Sequence, residues 1–216
     1  HGFARRMVFE QVTCEPAACS HVLRATEQTR AAYPFDFELH LSHRLDGATL
    51  IVRAVVQNHS DRDMPFGLGF HPAFLWPWPG AVGQAHRVRL DYGGEPALAR
   101  LSGGLLARRG LASPFVAGVL TPRPDMFDDD AMIFPEGAGD GLRYGVEGGV
   151  ELQFRFHNLP NLALWTKPGA PFLCIEPWHG MAATAEGGHE IAARPYSTIL
   201  APGAQASFGY DVTVAG

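Results

Sequence analysis

A chain of 216 residues, 46% of them hydrophobic and 18% charged, has enough apolar surface to bury a substantial core and too little charge for intrinsic disorder. Its formal charge of −5 is not gathered into a block of one sign, which argues against a nucleic-acid partner, and no apolar run nears the ~20 residues of a membrane span. Glycine and proline supply 25 and 17 residues, well above a combined usage of roughly 12%, and are scattered, so the chain is cut into many short segments joined by turns.

Taken in chain order, residues 7–13 and 21–26 read as short strands. Residues 35–42 alternate strictly, with Phe35, Phe37, Leu39 and Leu41 on one face, the mark of a half-buried strand. Asp46-Gly47 supplies the positive φ of a tight turn, and residues 49–57, rich in β-branched side chains, return as its hairpin partner. After a short strand at 87–92, residues 96–109 form the best helix candidate, limited to a turn or two by Gly103-Gly104. A second hairpin is expected at 142–146 and 150–156 around Glu147-Gly148-Gly149. Short strands follow at 162–166, 172–175 and 197–200, and Phe208, Tyr210, Val212 and Val214 line one side of a closing strand. The expectation is one all-β domain, residues 1–216, made of two antiparallel sheets packed face to face. Three cysteines, Cys14, Cys19 and Cys174, cannot all pair internally and include no CxxC, which suits a reducing cytoplasm.

Two segments place an ionisable group directly before a proline among aromatics: Pro65-Phe66-Gly67-Leu68-Gly69-Phe70-His71-Pro72 and Phe172-Leu173-Cys174-Ile175-Glu176-Pro177-Trp178. A residue before proline is pushed into extended geometry and proline cannot donate to a ladder, so each strand is expected to stop there and hold its ionisable side chain at a sheet margin. Near Cys174, Ile175 and Trp178, Glu176 should lose hydration and rise in pKa, suiting a general base, while an unperturbed His71 titrates near neutrality. Taken singly, Glu176 reads more readily as a strand-end carboxylate paired with an arginine, and His71 as a satisfied core histidine. The tryptophans nearby suit either a sugar-stacking wall or ordinary core.

These segments, with the opening His1-Gly2-Phe3-Ala4-Arg5, the acidic run before Ala131-Met132-Ile133-Phe134, and the closing residues 201–214, resemble in content and order the aldose 1-epimerase (galactose mutarotase-like) superfamily, bacterial LacX-like branch. The resemblance spans essentially the whole chain. It implies a β-supersandwich and cofactor-free, metal-free interconversion of sugar anomers, with Glu176 as base and His71 as acid, and with His1, Arg5, Asp130 and Trp178 binding a small-molecule sugar or sugar phosphate. The two catalytic side chains should share one cleft, with roughly 5 to 8 Å between them. Members of the family carry strands ahead of the HGFAR-type segment, so the resemblance also implies that the domain is N-terminally incomplete.

Three competing readings have their own signals. Adjacent Arg5 and Arg6 could fork a phosphate, which suits a hexose-6-phosphate 1-epimerase. A non-catalytic carbohydrate-binding module would use the aromatics alone. An N-terminal His1 on a β-sandwich is similar to the copper brace of lytic polysaccharide monooxygenases, though the remaining segments follow the epimerase order. His40 and His43 do not share a strand face, so no structural metal site is indicated.

Overall fold

Alternating burial along the chain becomes pairing: in residues 49–58, Val52, Ala54 and Val56 are buried while Ile51, Arg53 and Val55 between them stay half-exposed. The computed structural model describes residues 2–137, 139–184, 186–188 and 190–215. Among these the strands are, in chain order, β1 (Glu10–Glu15), β2 (Ala18–Arg24), β3 (Phe37–Asp46), β4 (Thr49–Asn58), β5 (Met64–Phe66), β6 (Leu68–Gly69), β7 (Ala73–Leu75), β8 (His86–Leu90) and β9 (Leu98–Ser102). They continue with β10 (Leu105–Leu111), β11 (Val119–Leu120), β12 (Met132–Phe134), β13 (Gly141–Val146), β14 (Glu151–His157), β15 (Asn161–Trp165), β16 (Phe172–His179), β17 (Thr198–Leu200) and β18 (Gln205–Ala215). One helix, α1 (Glu27–Ala32), lies between β2 and β3. No described helix is long and apolar enough to cross a membrane.

Nine strands form the first sheet in the order β1-β2-β3-β4-β18-β14-β13-β8-β11. The second sheet runs β10-β9-β12-β15-β16-β6, with β7 also pairing to β16, and β17 pairs with β5 on its own. Every recorded pairing is antiparallel, so the all-β sandwich read from the sequence is the fold of the chain. Both expected hairpins are present: Phe37 to Asp46 pairs residue by residue with Thr49 to Asn58, and Gly141 to Gly145 with Glu151 to Arg155. Val52, Leu142, Phe154, Phe208 and Tyr210 from the first sheet meet Phe134, Leu162, Leu164, Leu173 and Ile175 from the second in one buried cluster.

Three local features depart from the sequence reading. Residues 96–109 are not helical: they form the β9–β10 hairpin, in which Gly103 and Gly104, at φ +57° and +81°, make the two-residue turn that mirrors the strand twist. The glycine pair that interrupts a helix is what makes this hairpin. Helix α1 had no detectable period because it is only six residues long, yet its cap is complete. The Thr26 hydroxyl accepts from Thr29 N–H at 3.2 Å, and the Thr29 hydroxyl accepts from Thr26 N–H at 2.8 Å. Finally, β16 does not stop ahead of Pro177 but runs through it to His179.

Leu164 lies on β15, fully buried in the second sheet. Leu164→Ala should therefore lower unfolding free energy by about 2–5 kcal/mol, with the urea midpoint falling and the slope unchanged. A loss under about 1 kcal/mol would contradict its place in a close-packed core.

Candidate active site

The alternation of β16 sets the site. Leu173, Ile175 and Pro177 are buried toward the other sheet, which leaves Cys174, Glu176 and Trp178 on the outer face. That face is covered: Met181, Ala182 and Tyr196, from the segment after β16, pack there with Ala163, Trp165 and Trp178. Glu176 is accordingly only 3% exposed, although it does not point between the sheets.

Opposite β16 run β6 and β7, with Gly69 paired to Trp178 and Ala73 to Cys174. Counting inward along this single antiparallel register puts Phe70 against Pro177, His71 against Glu176 and Pro72 against Ile175. Phe70 N–H donates to the Pro177 carbonyl at 3.1 Å, and Ile175 N–H to the Pro72 carbonyl at 3.2 Å. The reciprocal bonds are chemically impossible, since neither proline has an N–H. The ladder is therefore halved on both sides of the His71–Glu176 pair. The Phe70 carbonyl, left without Pro177 as donor, accepts from the Trp178 indole Nε1–H at 3.2 Å instead. That contact needs Gly69, because a Cβ there would come within 2.4 Å of Trp178 Cδ1.

His71 and Glu176 thus occupy a non-hydrogen-bonded position, where opposed side chains approach most closely. His71 Nδ1 lies 3.3 Å from Glu176 Oε1, nearer than the 5 to 8 Å expected, because the two share one register step. Burial pushes the Glu176 carboxyl up to about 8, with Asp130 adding to the rise and Trp178 partly opposing it. Burial also holds His71 below its ordinary value, and the Arg5 charge acts in the same direction. The His71 side chain is 38% exposed, which gives the pair an approach from solvent. The Trp165 ring, on β15, meets the imidazole edge-on at 5.9 Å and 86°.

Of the remaining residues singled out in the sequence, Asp130, Arg5 and Trp178 are described. Asp130 is exposed, with φ +66°; its N–H donates to Phe127 at 3.0 Å, and its carbonyl accepts from the nearly buried Arg100 guanidinium at 2.6 Å. Arg100 also donates to the Met126 carbonyl at 2.7 Å, so one cation gathers the loop that carries Asp130. Arg5 is exposed on the 3-10 turn Phe3–Arg6. Trp178 is half-buried; its N–H donates to the Phe70 carbonyl and also favours the Glu176 carboxylate. His1 lies outside the described residues.

Sequence reading missed Trp165 and Arg100. Trp165 was recoverable: it sits two residues from Ala163, which pairs with Glu176, and so shares that face. Arg100 carried no such signal, because its partners are backbone carbonyls some thirty residues away. Cys174 brings its sulfur within 4.8 Å of the donor atoms of His71 and Glu176. Burial, with the Glu176 charge behind it, raises the thiol to about 12.

A model of the aldose 1-epimerase family matches residues 1–93. Chromosomal protein LacX of Lactococcus lactis subsp. lactis is 25% identical over 227 residues, an alignment covering 99% of this chain and 74% of LacX. The solved structure of a galactose mutarotase related enzyme from Lactobacillus acidophilus is 25% identical and superposes with a TM-score of 0.90 over the whole of this chain and 73% of its own. A galactose mutarotase-like protein from Lactobacillus casei, 22% identical, superposes with a TM-score of 0.87 over 99% of this chain and 75% of its own. The segment order, the sandwich topology and these matches agree: the chain is similar to the aldose 1-epimerase superfamily, and to LacX within it.

Proposed function

We propose that this protein interconverts the α and β anomers of an aldose by acid-base ring opening, with no cofactor. The observation that carries the reading is the direct opposition of His71 and Glu176, 3.3 Å apart, one half-exposed and the other buried with its carboxyl near 8. The anomeric hydroxyl and the ring oxygen are bonded to the same carbon, so a base and an acid that serve both must stand side by side.

Glu176 takes the anomeric hydroxyl proton while His71 gives one to the ring oxygen. The C1–O5 bond breaks, and C1 becomes the aldehyde carbon. After rotation about C1–C2, His71 recovers its proton from the O5 hydroxyl as the ring closes on the other face, and Glu176 returns its own to O1. No net proton is consumed, and each transfer is worth roughly 10²- to 10⁴-fold. Asp130, Arg5 and His1 would hold the sugar hydroxyls, with Trp165 and Trp178 forming an aromatic wall.

Glu176→Gln should slow anomer exchange of glucose or galactose, followed by polarimetry or NMR, by at least ~10²-fold. The variant should also be no less stable than the parent above pH 8. A folded-state pKa raised from its ordinary value to about 8 contributes stability fully present below the unfolded pKa and lost as pH climbs through about 8, and glutamine escapes that loss. An unchanged exchange rate would reduce the site to sugar binding alone.

The pair is active with one proton between its two members, whichever holds it in the free protein. A second proton removes the base, and loss of both protons removes the acid. The pH profile of kcat/KM should therefore be a bell whose acid limb lies below the ordinary histidine value and whose alkaline limb lies near 8. A profile still rising above pH 9 would overturn the shared-proton assignment. Better exchange of glucose 6-phosphate than of the free hexoses would replace the free sugar with a sugar phosphate held by Arg5 or Arg6.

A further inference from the structure

Strand β1 is the outer edge of the nine-stranded sheet: it pairs with β2 alone, and all six of its residues are exposed. The β1–β2 connection is a two-residue turn, with Glu15 paired to Ala18 across it and Cys14 paired to Cys19 one step further. Flanking a two-residue turn, Glu15 and Ala18 form the hydrogen-bonded pair, so Cys14 and Cys19 fall on the next, non-hydrogen-bonded pair. The other side of β2 agrees. Leu45 N–H donates to the Ala17 carbonyl at 2.8 Å, which puts the hydrogen-bonding groups of Cys19 toward His43 of β3 and away from β1.

At a non-hydrogen-bonded pair the Cα atoms are about 4.5 Å apart and both side chains leave the sheet on the same face. Disulfides span Cα separations of roughly 4.4–6.8 Å, so this pair can close without moving the backbone. The adjacent pair, Thr13 and Ser20, already brings its hydroxyls to 2.7 Å on the opposite face. Cys14 is exposed and Cys19 half-buried, whereas Cys174 is buried.

We propose that Cys14 and Cys19 form a redox-active cross-strand dithiol, which small disulfides of the glutathione class oxidise to an intramolecular disulfide. The exposed Cys14 thiolate attacks one sulfur of the small disulfide and expels a thiolate, leaving a mixed disulfide on Cys14. The Cys19 thiolate then attacks the Cys14 sulfur and expels the second small thiolate. One S–S bond breaks and one forms; the two cysteines are oxidised, the small disulfide is reduced to two thiols, and the two cysteine protons end on them. Opposite Cys19 on β3 stands His43.

Treating the whole folded protein with oxidised glutathione and reading the intact mass tests this independently of any sugar activity. The expected product has lost two hydrogens, carries no glutathione, and yields a proteolytic fragment joining residues 14 and 19. Cys174→Ser should give the same product. Cys14→Ser and Cys19→Ser should each stop at a single glutathione adduct or stay reduced, and since both positions are at the sheet edge both variants should fold. A parent protein that accumulates stable adducts at Cys14 or Cys19 without losing two hydrogens, or that cross-links into dimers through them, overturns the proposal.

Discussion

The arrangement of the site depends on one constraint, the inability of Pro72 and Pro177 to donate. Each removes one bond of a narrow pair flanking His71 and Glu176, yet the register holds on the two bonds that remain and on the Trp178 indole bonded to the Phe70 carbonyl. Buried carbonyls left without a donor are expensive, so the indole is a structural part of the β6–β16 junction. The strand expected to end before Pro177 continues because that residue turns its missing donor toward this gap. Toward β15, Glu176 and Trp178 pair without interruption.

Electrostatics follow from the same placement. A carboxylate on the outer face of a sheet would ordinarily be hydrated, but Met181, Ala182 and Tyr196 cover the face and Glu176 loses its water. Its pKa rises because the folded protein has difficulty accommodating the charge, so the property that suits the group for proton transfer weakens the fold as the solution becomes alkaline. The neighbouring thiol of Cys174 is raised for the same reason.

The sandwich was legible in the sequence because its longest strands alternate strictly, as in Phe37 to Leu41 and in Phe208 to Val214. One glycine turn is less legible: Gly103-Gly104 reads as the interruption of a helix, yet it makes a hairpin. His71 and Glu176 stood out through their following prolines, but their opposition depends on register between segments a hundred residues apart, which no local pattern encodes. Trp165 and Arg100 belong to that non-local layer. One acts through a neighbouring strand, the other through carbonyls that carry no residue identity.

Gly69, Pro177 and Trp178 contribute, respectively, space, a missing hydrogen and a replacement hydrogen to the same few cubic ångströms. Giving position 177 an N–H would leave the indole competing for a carbonyl already served, and adding a side chain at position 69 would push it away. In the history of such a chain these three positions would change together or not at all, and a homologue with a different residue at 177 would need a different solution at 178.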